Sequence, residues 1–192
     1  MKTEKALSIV FIISLIFKLM HWPGAGVLMV LSLTFLALCF FPFGFYFFSD
    51  KNFKNQKIGI SILFGWLLSI AIIGIEFKLM FWPGSQVMLL VGCMSSAVLL
   101  LAGFSLLKKS DEDLKNYHKN LFTRTVVVFV LAMICLLLPN SVLINHYYAN
   151  EPELKELYLK QQENPQDESI QKEIEEYHEK RFVQEEKSNE KK

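Results

Sequence analysis

The sequence predicts an all-α, polytopic membrane protein: two repeated transmembrane helical hairpins, a fifth transmembrane helix and a soluble, acidic helical tail. Three observations lead there. Long apolar runs fill residues 1–150, charge is confined to short patches between them, and one eight-residue motif occurs twice, 60 residues apart.

The average composition, 52% hydrophobic with a mean hydropathy of +0.31, hides a sharp division. Residues 151–192 carry 13 acids and 8 bases, whereas residues 1–150 carry 6 acids and 12 bases. A water-soluble domain interleaves its charges to build a wetted surface; a chain whose solvent is lipid sequesters them.

Five segments are long enough to cross a bilayer, which takes about 20 mostly apolar residues. They are Ala6–Met20, Val27–Phe48, Ile58–Met80, Val87–Leu107 and Val126–Ile144, the first being the shortest and the last containing Pro139. The expected organisation is a first hairpin over 1–48, a loop over 49–57 and a second hairpin over 58–107. A loop over 108–125, a fifth helix over 126–145 and the tail over 146–192 complete it. The basic start (Lys2, Lys5) and first apolar stretch also suit a secretory signal, but no A-x-A site follows. The region where cleavage would fall also recurs inside the chain, where no signal can sit, so the segment is read as a span.

Orientation follows from Lys and Arg in short loops. Lys2, Lys5, Lys51, Lys54, Lys57, Lys108, Lys109, Lys115, Lys119 and Arg124 lie in the terminus and loops that share one side, while the two Trp-Pro-Gly connectors contain none. This places the N-terminus in the cytoplasm and both connectors outside. Five spans put the tail outside as well; a re-entrant last segment at Pro139 would return it to the cytoplasm.

The motif is Phe17-Lys18-Leu19-Met20-His21-Trp22-Pro23-Gly24, which returns as Phe77-Lys78-Leu79-Met80-Phe81-Trp82-Pro83-Gly84. Seven of eight positions are identical, the mark of a duplicated helix–turn–helix unit. Pro presets φ and cannot continue a helix, Gly tolerates positive φ, and together they close a turn. Trp22 and Trp82 suit the lipid–water boundary. Lys18 and Lys78, five residues before the prolines, fall near helix C-termini, where the macrodipole favours a cation and the side chain can snorkel outward. An ion-linked role stands beside that structural one: Lys18 and His21 are spaced i, i+3 on a helical face, and ionisable residues inside a membrane mark functional sites.

FKLMHWPGA between two apolar spans resembles the N-terminal membrane hairpin of the GldL family, motor subunits of gliding motility and type IX secretion in the inner membranes of Bacteroidota. The resemblance covers residues 5–48, with 60–107 as a second, degenerate copy. It implies an inner-membrane location with both connectors in the periplasm. It also implies hairpins that surround a partner's helices and couple a proton gradient to rotation, with the motif's Lys and His matched by Lys18 and His21. Two departures stand out. The family's buried glutamate on the second helix has no counterpart, because residues 27–48 contain no acid, and Phe81 replaces the His in the second copy.

Glu76 is the only acid within the predicted spans. It lies two residues before Lys78, on a different helix face, and either reaches water at the boundary or pairs with Lys18 or His21 of the other hairpin. Ser61, Ser69, Ser95 and Ser96 with Gly65, Gly74, Gly92 and Gly103 suit close helix packing. Pro42, Gly44 and the surrounding Phe40–Phe48 aromatics suit a boundary belt. The tail reads as two helices broken at Asn164-Pro165. Leu154, Leu157 and Tyr158 lie on one, and Ile170, Ile174 and Tyr177 on the other. Glu168–Lys172 and Glu176–Lys180 are candidate i,i+4 pairs, and the tail is either a partner-binding or a solvated element.

No catalytic motif occurs. Cys39, Cys93 and Cys135 sit singly in apolar runs, so no metal or cofactor is indicated, and His118, His146 and His178 are scattered. The expected partners are the bilayer and a membrane-protein partner or a second copy, not nucleic acid. The expected function is a non-enzymatic membrane scaffold or accessory subunit. The alternative is an ion-coupled motor stator or small transporter that uses Lys18, His21, Glu76 and Lys78.

Overall fold

The computed structural model describes residues 2–22, 24–41 and 58–189. Pro23, the Pro42–Phe48 belt and the Lys51, Lys54 and Lys57 loop lie outside them. The described chain is all helical: α1 Lys2–Leu19, α2 Ala25–Phe40, α3 Ile58–Leu79, α4 Ser85–Lys108, α5 Glu112–Leu137, α6 Asn140–Tyr147, α7 Pro152–Glu163 and α8 Glu168–Asn189. It divides into two compact units, Met1–Leu138 and Pro139–Lys192.

In the first unit, α3 is the central helix, packing against α2, α4 and α5, while α1 leans on α2. Among the described residues α3, α4 and α5 are long and apolar enough to cross a membrane, and α2 is a shorter apolar helix. At 1.5 Å per residue their 22, 24 and 26 residues exceed the roughly 30 Å hydrocarbon core. Their outward faces are apolar: Leu101 is 76% exposed and Phe104 60%, with Val98, Val127, Val130 and Ile134 alongside. Exposed apolar faces of this extent need a solvent other than water, as a multi-pass membrane protein provides. α1 is not one of the three; its 18 residues include Lys2, Glu4, Lys5 and Lys18.

Small residues set the spacing of α3 and α4. A Cβ on Gly92 would stand 2.6 Å from the Ala71 Cα, and one on Gly74 2.9 Å from the Leu89 Cα. The two backbones therefore touch, as small-residue interfaces permit.

Two boundaries differ from the sequence reading. The expected loop over 108–125 is largely helix: α5 begins at Glu112, because Tyr117, His118, Leu121, Thr125, Val128 and Ala132 form one buried stripe that the surrounding charges obscure. At the other end, the segment expected to continue to Ile144 stops at Leu137. Pro139 lacks an N–H and pushes Leu138 into extended backbone (φ −74°, ψ 120°), so α6 starts afresh at Asn140.

In the second unit, α7 opens on Pro152 and ends at the Asn164 cap, and α8 follows. The apolar stripes read from the sequence are occupied within the unit: Leu154, Tyr158, Ile170 and Ile174 are buried. Tyr148 stacks on Tyr158 with centroids 4.7 Å apart, and Arg181 bonds Glu151 at 2.6 Å. Of the two i,i+4 pairs read from the sequence, Glu176–Lys180 forms at 3.7 Å and Glu168–Lys172 does not form, while Glu156 and Lys160 pair at 2.9 Å. His178 lies 3.4 Å from the Tyr158 hydroxyl. Burial and the Arg181 guanidinium hold its imidazole below the usual histidine range, with Glu151 acting in the opposite sense.

Gly92→Ala is expected to destabilise the first unit by about 1–3 kcal/mol, because backbone has to move to admit the methyl. Gly59→Ala, where a Cβ meets nothing within 4 Å, should leave it unchanged or slightly raised. Thermal unfolding in detergent compares the two. For the tail, the folded state favours neutral His178. Its contribution is complete above the ordinary value of 6.5 and is lost as pH falls below it toward the lowered folded value. Hydrogen exchange of α8 should accelerate as pH falls below 6.5, after allowance for intrinsic rates, and His178→Gln should remove that dependence.

Candidate functional site

The duplicated motif builds two copies of one backbone device at the C-termini of α1 and α3. At the first, the Trp22 N–H donates to the Phe17 carbonyl (2.9 Å) and the His21 N–H to the Lys18 carbonyl (3.2 Å). At the second, the Trp82 N–H donates to Phe77 (3.0 Å) and the Phe81 N–H to Lys78 (3.3 Å). This pair of crossed bonds is the Schellman motif, which satisfies carbonyls that a helix end would otherwise leave open. Its usual companion, an apolar contact between the residues bracketing the bonds, is present in both: Phe17 meets Trp22 at 4.6 Å and Phe77 meets Trp82 at 5.0 Å. Three of the seven repeated positions, the Phe, the Lys and the Trp, thereby acquire defined tasks, and the two tryptophans act as clasps. Gly24 and Gly84 then open α2 and α4 at φ 81° and 78°, as the Pro-Gly reading expected.

The residue at the left-handed position is the one that differs between copies. His21 and Phe81 both have φ 58°, where a bulky L-residue is strained. The i, i+3 helical face inferred for Lys18 and His21 therefore does not exist, since the helix has ended at Leu19 and the backbone at His21 has reversed hand. His21 is exposed, whereas Phe81 is 1% exposed.

Lys18 joins the two corners. Its Nζ donates to the Leu79 carbonyl at 2.6 Å and to Met80 Sδ at 3.5 Å, and lies 5.6 Å from the Phe81 ring centroid. The cation thus caps the C-terminus of the other repeat's helix, where the dipole favours it, in addition to sitting near its own. Lys78 does not snorkel. It is 2% exposed.

Glu76 follows neither reading made from the sequence. At 4% exposure it does not reach water, and its Oε1 accepts a 2.8 Å hydrogen bond from Thr34 of α2. It faces α2, and a spacing of two on a helix turns Lys78 to a different face. Thr34 was missed; its only signal is a hydroxyl, one of two with Ser32, in an otherwise apolar run. Also missed was the bidentate bond between Arg124 and Glu4, at 2.7 and 2.8 Å, which ties the start of α1 to α5. Ser61 and Tyr117 share a hydrogen bond, and His118 Nδ1 lies 2.9 Å from the Ser110 hydroxyl. Among the described residues no group of His, Cys, Asp and Glu is arranged to hold a metal ion.

The chain matches no protein-family model, no curated protein and no solved structure. The paired corners and the ionisable residues around them accordingly define the site by geometry alone.

Because the left-handed position disfavours side chains, His21→Gly should stabilise the first unit by about 1 kcal/mol. Phe81→Gly relieves the same strain but removes a buried ring worth about 3–5 kcal/mol, and should destabilise it. Opposite signs in thermal unfolding are the expected result.

Proposed function

We propose that this chain is a non-enzymatic, multi-pass membrane scaffold or accessory subunit, with GldL-like hairpins, that assembles with other membrane helices in a bacterial inner membrane. The observation that carries this reading is the Lys18 Nζ–Leu79 carbonyl bond. The repeated cation is committed to holding one hairpin against the other, which is a structural use. The extensive outward apolar faces of α4 and α5 offer surfaces to neighbouring helices as well as to lipid.

One observation favours the ion-coupled alternative. A carboxylate buried in an apolar bundle, held by a single hydroxyl and followed two residues later by a buried lysine, is costly unless it is used. The two readings separate on charge removal without loss of shape. Glu76→Gln retains an acceptor for Thr34. Under the scaffold reading it leaves membrane insertion, partner recovery in mild detergent and any uncoupler-sensitive phenotype unchanged. Lys18→Ala should lower the unfolding midpoint by the equivalent of about 1.5–3 kcal/mol, the range for a hydrogen bond from a charged donor. Abolition of a proton-gradient-dependent phenotype by Glu76→Gln, with insertion intact, would replace the scaffold with the ion-coupled device.

A further inference from the structure

A half-open groove of about 400 Å³ lies between the start of α1 and the middle of α5. At its rim the Arg124 guanidinium and the Glu4 carboxylate bind each other through two hydrogen bonds, and each side chain is only 15% exposed. Their charges cancel. Lys5, exposed on the same wall, leaves the groove with one net positive charge, and Ser8 and Asn120 add a hydroxyl and an amide. The Thr123 hydroxyl already donates to the Lys119 carbonyl at 2.8 Å and offers only its lone pairs.

Both walls turn apolar in the same direction. Along α1 the row of Lys5 and Ser8 continues at helical spacing through Ile9, Ile12 and Ile16, which are 56%, 54% and 48% exposed. Along α5 the row of Asn120 and Arg124 continues through Val127, Leu131 and Ile134, at 52%, 37% and 50%. The two helices run parallel, since Lys18 at the end of α1 meets Leu79 at the end of α3, while Tyr117 near the start of α5 meets Ser61 near the start of α3.

A polar band with a single positive charge, opening onto two apolar tracks, has the chemistry of a phosphodiester headgroup followed by acyl chains. We propose that the groove between α1 and α5 binds one anionic phospholipid. Lys5, Ser8 and Asn120 donate to its phosphate, the Glu4–Arg124 pair holds the rim at fixed width, and the isoleucine and valine rows receive its chains. Basic side chains at a membrane surface draw anionic lipid by about 1 kcal/mol each.

The inference rests on the membrane reading, and the experiment keeps the two apart. Alkaline carbonate extraction of membranes carrying the full chain should leave it in the pellet; release into the supernatant overturns both. The detergent-purified chain is then titrated with phosphatidylglycerol, with phosphatidylcholine of identical chains and with inorganic phosphate, and bound lipid is counted by native mass spectrometry. One phosphatidylglycerol should bind in preference to phosphatidylcholine, and inorganic phosphate should not displace it. Lys5→Gln should weaken it about fivefold, the ratio that 1 kcal/mol represents. Ser8→Trp, which fills the groove from an exposed wall, should weaken it further at unchanged helicity. Equal retention of the two lipids, displacement by phosphate, or indifference to both substitutions in a chain that resists extraction overturns the lipid site alone.

Discussion

A helix that stops leaves its last carbonyls without partners inside the helix, and where water is scarce their hydrogen bonds have to come from the chain itself. The two corners meet that demand with the same crossed bonds, closed by the same Phe–Trp contacts. Lys18 then supplies a further donor, from one repeat to the Leu79 carbonyl of the other. The relation between hairpins follows from this. The Lys18–Leu79 bond ties the end of α1 to the end of α3.

The duplication is symmetric in sequence but not in surroundings. Lys18 is part-buried and meets a neighbouring helix end, whereas Lys78 is 2% exposed. His21 is exposed at the left-handed position, while the equivalent Phe81 is buried next to the Lys18 ammonium. The single substitution between the copies thus falls where the backbone disfavours any side chain and where burial then rewards an aromatic one.

The apolar runs, the repeat and the helix break at Asn164-Pro165 were legible because each is a local signal: hydropathy, identity at fixed offset, proline. Gly74 and Gly92 were legible as packing residues for the same reason. What escaped was pairing across distance. Nothing near Glu76 points to Thr34, 42 residues earlier, and nothing near Arg124 points to Glu4, 120 residues earlier. The start of α5 escaped for a different reason. Its buried stripe is interleaved with Glu112, Asp113, Lys115 and Lys119, and a segment rich in charge reads as a loop unless its period is followed. The His21 face failed because helical spacing was carried two residues beyond the helix.

The grip on α1 has a consequence for how the protein is made. Among its described side chains only Phe11 and Ser14 are buried, and its bonds to Leu79 and Arg124 reach 61 and 120 positions downstream. During synthesis α1 therefore finds Arg124 only after α2, α3 and α4 have followed it. Until α5 is delivered, α1 has α2 beside it and the Leu79 carbonyl at its end, so its final seating comes late in the assembly of this unit.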